Sequence, residues 1–211
     1  MNYKQTEKNT ITQFNKWAQT YDSNIFSYYF FYLLNRSVKI LLNPSHASTL
    51  LDVGFGSGIL LHQLSEADPT LKLYGVDVSD EMYKKAKQKF LGNKQVKLYL
   101  SSAVSLTFKE NTFDYVTCIQ SFHHHPNSLQ SLKEMYRVLK PKGKLLLSDT
   151  SLDGPIRTLL HKAEQTVYPK RESNIFRYTN KQMRDLFQSV GFKNITQRYT
   201  HYTSLTTIGE K

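Results

Sequence analysis

Three glycines at alternate positions, Gly54, Gly56 and Gly58, follow the apolar run Leu50-Leu51-Asp52-Val53 and precede Ile59, Leu60, Leu61 and Leu64, whose spacing shifts toward that of a helix. Strand, tight glycine turn and helix make the geometry of a nucleotide-type site in an open α/β sheet. Glycine accepts positive φ and lets the main chain approach a ligand closely. The helix that starts near Gly58 aims unpaired N–H groups and a partial positive charge at the turn. Leu71, Leu73 and Val76 mark a second strand, and Asp77 ends it 19 residues beyond Gly58. That is close to the spacing at which a carboxylate accepts hydrogen bonds from ribose hydroxyls. The glycine spacing argues against a dinucleotide. G-x-G-x-x-G would place glycine at position 59, which is Ile59, and the third glycine comes one position early.

A second group with chemical potential is His123-His124-His125, after the β-branched and aromatic run Phe113 to Ile119. Consecutive side chains splay apart, and helical metal-binding pairs sit at i, i+4. With no cysteine or carboxylate close by in sequence, no metal site is expected. Histidine titrates near neutrality when unperturbed, so a general base here stands open beside a purely structural role.

The segments Asp52-Val53-Gly54-Phe55-Gly56-Ser57-Gly58 and Gly75-Val76-Asp77-Val78-Ser79-Asp80-Glu81-Met82 resemble the first two motifs of class I S-adenosylmethionine-dependent methyltransferases. Phe113-Asp114-Tyr115-Val116 and the stretch Glu134 to Leu145 resemble later motifs, in the family's order. The resemblance extends from about Phe14 to Ile208 and points to the small-molecule, quinone-biosynthesis-like branch. It implies a three-layer αβα Rossmann-like fold with a seven-stranded, mostly parallel sheet and an antiparallel last strand. It also implies S-adenosylmethionine as cofactor, S-adenosylhomocysteine as product, and methyl transfer to a small apolar or aromatic acceptor through O, N or C.

Carried over residue by residue, the resemblance implies that Gly54, Gly56 and Gly58 pass close to the methionine part. Asp77, with Val78 beside it, holds the ribose, and Asp52 orders the loop or a bridging water. Met82 packs on adenine or simply on the core. Ser102 stands where relatives often carry an aspartate for the adenine amino group. The Ser102 hydroxyl still accepts a hydrogen bond but brings no charge, and the Ala103 backbone contributes beside it. The carbonyl of Gln120 is a candidate for the methionine amino group. Trp17-Ala18-Gln19-Thr20-Tyr21-Asp22 resembles a W-A-x-x-Y-D segment that folds over the cofactor, with Tyr21 either on the methionine carboxylate or packed on the core. No compulsory catalytic residue is legible.

The elements that must position these groups follow from periodicity. Phe14, Trp17, Ala18 and Tyr21 share one helical face, after a polar stretch, residues 1–11, read as loosely held. Ile25 to Leu42 is a helix whose aromatic density exceeds that of an exposed helix, so something covers it. Ser79 caps a helix from Asp80 to Leu91, stopped by Gly92. Val96, Leu98 and Leu100 alternate as a strand. Leu129, Leu132, Tyr136 and Leu139 mark a helix stopped at Pro141 and Gly143, with a strand from Lys144 to Ser148 and Asp149 at its edge. Thr179 opens a helix to Val190, and Ile195 to Thr200 and Ser204 to Ile208 close the sheet. The expected organisation is one domain: a helical lid at 12–43, a cofactor-binding core at 49–150, an acceptor-side segment at 151–178, and a closing helix and strands at 179–211.

The chain has 211 residues and a formal net charge of +11. Such charge fits anionic partners, nucleic acid among them, or a dispersed lysine-rich surface. An RNA methyltransferase is therefore a second reading. A catalytically inactive, cofactor-binding partner protein is a third, from another class. The lack of a separate RNA-binding domain and of an Asp- or Asn-Pro-Pro-aromatic motif after Ile119 weighs against RNA. One cysteine, Cys118, excludes an intrachain disulfide and suits the cytoplasm. No run reaches the roughly 18 apolar residues needed to span a bilayer.

Overall fold

The computed structural model describes residues 3–18, 25–151, 153, 177–200 and 204–211. Tyr21 and most of the segment 151–178 lie outside the described residues.

The sheet is organised around β1 (Thr49–Val53), whose Leu50, Leu51 and Val53 are fully buried. A parallel strand covered on both faces reads as a near-continuous apolar run, interrupted here by the buried Asp52. β1 pairs in parallel with β2 (Lys72–Asp77) on one side and β4 (Phe113–Ile119) on the other. β3 (Val96–Leu100) lies outside β2. Beyond β4 come β5 (Leu139–Thr150), β7 (Ser204–Glu210) and β6 (Lys193–Tyr199), giving the order β3-β2-β1-β4-β5-β7-β6. β7 runs antiparallel to both its neighbours. This is the seven-stranded, mostly parallel sheet with a reversed last strand that the sequence motifs imply. The strand order changes direction between β1 and β4, so a crevice opens at their carboxyl ends.

Helices cover both faces. α1 (Tyr3–Ala18) packs on α4 (Asp80–Lys89), and α2 (Ile25–Leu42) packs on α3 (Ile59–Ala67). On the other face, α5 (Ser128–Val138) packs on α6 (Asn180–Val190). Each face has its own apolar cluster. Phe113, Phe122 and Phe187 are buried in one, and Leu60, Leu61, Leu73 and Phe90 in the other. The N-caps are those the sequence predicts, whereas the helix from Asp80 ends at Lys89 with Phe90 as its C-cap, short of the expected Leu91 and Gly92. Ser79 Oγ accepts from Met82 N at 3.2 Å, and Thr179 forms a reciprocal box with Gln182.

The structure corrects two further expectations. The polar stretch at the N-terminus is helical from Tyr3, so the roof over the crevice begins well before residue 12. The helix marked by Leu129, Leu132, Tyr136 and Leu139 ends at Val138, and its buried face is Leu132, Met135 and Val138, with Leu129 exposed. Pro141 and Gly143 do not stop it. They belong to β5, where the register slips between Phe113↔Leu139 and Tyr115↔Lys144. The extra residues form a bulge, the kind of place in a sheet that tolerates proline. Lys140 anchors it by an ion pair to Asp114 at 2.9 Å.

α2 resolves its aromatic density unevenly. Leu34, Val38 and Leu42 are buried, Phe30, Phe31 and Tyr32 are half-buried, and Tyr29, Leu33 and Ile40 face outward. Among the described residues, no helix is long and apolar enough to cross a membrane.

Candidate functional site

A cleft enclosing about 950 Å³, its open mouth included, lies at the carboxyl ends of β1, β2 and β4 beneath α1 and α2. Its floor is the glycine turn. Gly54, Gly56 and Gly58 have φ of +75°, +57° and +78°, all in the left-handed region that favours glycine. The three differ in what surrounds them. A Cβ on Gly54 would lie 2.0 Å from Ser121 Oγ, and one on Gly58 would lie 2.7 Å from Phe90 Cε2. A Cβ on Gly56 would meet nothing within 4 Å, because it would stand in the cleft itself.

Asp77 holds this turn in place. One carboxylate oxygen accepts from Gly56 N at 2.8 Å and the other from Ser79 N at 2.8 Å. Burial pushes its carboxyl up, against the pull of the backbone N–H groups of Ser79, Gly56 and Val78. Each oxygen retains acceptor capacity toward the cleft.

Asp52 lies beneath the same turn, 3% exposed. Its side chain bonds across the sheet rather than to the loop: Thr117 Oγ on β4 donates to it at 2.8 Å. Burial pushes the Asp52 carboxyl up to about 7, the Thr117 bond works against this, and Asp77 nearby adds to it. Two buried carboxyl groups side by side favour a cationic ligand, because a positive charge in the cleft would offset the cost of ionising them.

On the β3 side of Asp77 the wall is made by Val78, Met82, Ser102 and Ala103. Met82 is 1% exposed to solvent and one turn from the buried Ala86. Ser102 Oγ donates to the carboxylate of Glu7 on α1. On the β4 side stands Gln120, with φ of +49°. Its side chain is turned into the sheet, where Nε2 donates to Ser204 Oγ at 2.7 Å and Oε1 accepts from Thr150 Oγ at 3.1 Å. The Gln120 backbone is what remains for a ligand.

The three histidines have different polar partners, but they do not all splay apart as consecutive residues were expected to: the His123 and His124 rings lie against each other, with centroids 4.1 Å apart. His123 is fastened to Asp149, with Nδ1 2.6 Å from one carboxylate oxygen and the backbone N–H donating to the other at 2.8 Å. This clamps the short 3₁₀ turn Phe122–His124. The His124 ring meets Phe14 and Trp17 of α1 edge-on, with centroids 4.8 and 6.4 Å apart. His125 Nε2 lies 3.2 Å from Ser121 Oγ. Burial depresses its pKa to about 4, with Asp149 opposing the shift, so the ring is neutral at pH 7. Its Nδ1 is buried with no hydrogen-bond partner among the described residues. His124 and His125 line the cleft. Among the described residues, no three His, Cys, Asp or Glu side chains converge as metal ligands would.

The structure thus brings Asp52, Gly54, Gly56, Asp77, Val78, Met82, Ser102, Ala103 and Gln120 to one cleft. Gly58 packs behind the turn against Phe90. Phe31, from the aromatic helix expected to form the lid, lines the cleft, and so does Glu7, which was not expected as a site residue. A signal existed for Glu7: Glu7, Thr10 and Phe14 all line the cleft and share a helical face at i, i+3, i+7.

The chemistry of the cleft fits S-adenosylmethionine: a glycine whose missing side chain opens the space, carboxylate oxygens able to accept from hydroxyl groups, and buried acid that favours a positive charge. Comparisons with known proteins agree. Residues 51–147 match the methyltransferase domain model. A demethylmenaquinone methyltransferase from Staphylococcus epidermidis is 31% identical over 207 residues, covering 89% of this chain and 86% of that protein. The Staphylococcus aureus protein of the same name is 29% identical, with 88% and 85% covered. The fold is shared with a methyltransferase solved in complex with the Haloferax volcanii Trm112 methyltransferase activator, with TM-score 0.77, 18% identity, and 93% and 96% covered. It is also shared with an S-adenosylmethionine-dependent methyltransferase from Thermotoga maritima, with TM-score 0.70, 19% identity, and 92% and 98% covered. With its motifs, strand order and relatives matched over most of their length in agreement, the chain belongs to the class I S-adenosylmethionine-dependent methyltransferases, on the branch that holds the demethylmenaquinone methyltransferases.

Proposed function

We propose that this methyltransferase acts on a flat, apolar or aromatic small molecule of quinone-like character. The observation that carries the reading is the cleft wall opposite Asp77. Phe14 and Phe31 come down from the roof helices, and Ile119, His124 and Pro126 rise from the end of β4. A slot with aromatic and aliphatic walls and few polar groups suits a ring system. The names of the Staphylococcus relatives point to the same class of acceptor.

In this reading the glycine turn and the Gln120 carbonyl hold the methionine part. Asp77 takes the ribose hydroxyls, and Val78, Met82, Ser102 and Ala103 surround the base. Bound S-adenosylmethionine supplies a methyl group already activated by its sulfonium. The chain's own work is to exclude water under α1 and α2 and to align the acceptor with the sulfur–methyl bond. His125, with a pKa of about 4, is a poor base at pH 7. The segment 49–150 acts as the cofactor-binding core and the two N-terminal helices as the roof, in a single domain. A cytoplasmic location suits the lone Cys118, whose thiol burial pushes well above its ordinary range.

The test is formation of S-adenosylhomocysteine by the purified protein with reduced naphthoquinones, simple phenols or bulk RNA as acceptor. Turnover with the ring compounds and none with RNA is expected. Turnover with RNA alone would overturn the reading.

A further inference from the structure

We propose that Glu7, carried by the N-terminal helix and oriented through Ser102, is the acceptor for the exocyclic amino group of adenine. The inference rests on placing the ribose at Asp77. With the methionine part at the glycine turn, the base must extend to the β3 side of Asp77, where Met82, Ser102 and Ala103 form the wall. An amino-purine there needs an acceptor for its N–H groups, because burying them unpaired is costly. The strand-end segment Ser101-Ser102-Ala103-Val104 offers no acidic side chain. The carboxylate arrives from across the cleft instead. Glu7 lines the cleft and accepts a hydrogen bond from the Ser102 hydroxyl.

The arrangement is directional. Val104 N donates to Ser102 Oγ at 3.4 Å, so the hydroxyl oxygen is engaged as an acceptor and its proton is turned to Glu7. A carboxylate offers about four acceptor positions, and Ser102 uses one. The helix is fastened at a second point. Asn15 Oδ1 accepts from Ser79 Oγ at 2.7 Å. Glu7 and Asn15 lie about 12 Å apart along the helix axis. Both contacts are made to residues flanking the base pocket, so docking of α1 and completion of that pocket are one event.

Two ligands separate recognition of the amino group from mere fastening of the helix. S-adenosylhomocysteine carries adenine. S-inosylhomocysteine presents a carbonyl where the amino group was, and an N–H at the neighbouring ring nitrogen where adenine has an acceptor. Calorimetry on the full chain should show at least tenfold weaker binding of the inosyl compound, about 1.4 kcal/mol. In Glu7→Gln the amide oxygen still accepts from Ser102, but the remaining group is a donor. Binding of S-adenosylhomocysteine should fall about tenfold, and the preference between the two ligands should vanish or reverse. Adding Ser102→Asp to Glu7→Gln should restore both affinity and preference, which a folding defect would not. Equal weakening of both ligands, or no change in preference, would overturn the proposal and leave Glu7 as a fastener. Asp77→Ala reads the ribose placement separately, because it should weaken both ligands alike. If it has no effect, the placement itself fails.

Discussion

The two ends of the cleft are built by different means. The glycine-turn end is made of backbone: three left-handed glycines and a carboxylate, Asp77, held by two main-chain N–H groups. The far end is made of side chains drawn from distant parts of the sequence, with Phe14 against His124, Phe31 lining the same cleft, and His125 against Ser121. A backbone-built site recognises what is constant, since few substitutions can alter it. A side-chain-built site can be re-cut for a new ligand while the sheet stays the same. The fold therefore separates a fixed methyl donor from an exchangeable acceptor.

The sharpest way to break this contrast is at the glycines. Gly54→Ala would force a Cβ to 2.0 Å from Ser121 Oγ at a φ of +75°. It should destabilise the protein by about 3 kcal/mol or more, as overpacking and left-handed strain combine. Gly56→Ala meets open space and should cost only about 1–2 kcal/mol of fold stability. It should nevertheless abolish measurable cofactor binding by filling the cleft. Denaturant melts paired with calorimetry check both.

The two ends should also answer pH in opposite directions. Asp52 has a folded pKa of about 7 against a reference of 3.8. The native state keeps its proton through that window while the unfolded chain loses it. Asp52 therefore removes stability as pH rises from about 4 to about 7, at roughly 1.4 kcal/mol per unit. His125 has a folded pKa of about 4 against 6.5. Its neutral ring removes stability as pH falls from about 6.5 to about 4, because the unfolded chain takes up the proton first. Asp52→Asn should raise Tm most at pH 8 and little at pH 4. His125→Gln should flatten the acid limb, when each is compared with the parent across the pH series. If either change shifts stability equally at both extremes, the buried carboxyl or the buried imidazole is not behaving as its surroundings dictate.

A smaller effect sharpens the comparison. Asp77→Asn should weaken binding of S-adenosylhomocysteine about tenfold, because one amide position is now a donor facing a backbone N–H. His123→Gln, at the other end, should leave that affinity within about twofold, as expected for a site with separate partners. Calorimetry on the two variants measures the difference.

The same division explains what could be read in advance. The glycine turn, β2 and Asp77 are local in sequence, and so are the caps Ser79 and Thr179, so residue types alone place them. Leu132, Met135 and Val138 form the buried face of α5 only because α6 and β5 pack there. The more apolar-looking Leu129 and Tyr136 suggested another phase. Pro141 and Gly143 read as a helix stop because proline breaks helices locally. That they occupy a bulge depends on pairing with Phe113 and Tyr115, some 25 residues earlier. Glu7 was hidden by its polar neighbours, whose helix is made worthwhile only by docking on Ser79 and Ser102.

Ser121 fills the space that a side chain on residue 54 would need, and its hydroxyl meets His125. One small residue is thus a shared wall between the two ends. Anyone diversifying the acceptor pocket has freedom at positions 14, 31 and 124, but position 121 is bounded by the donor site's backbone. A library that enlarges it would lose the methyl donor before it gained a new acceptor.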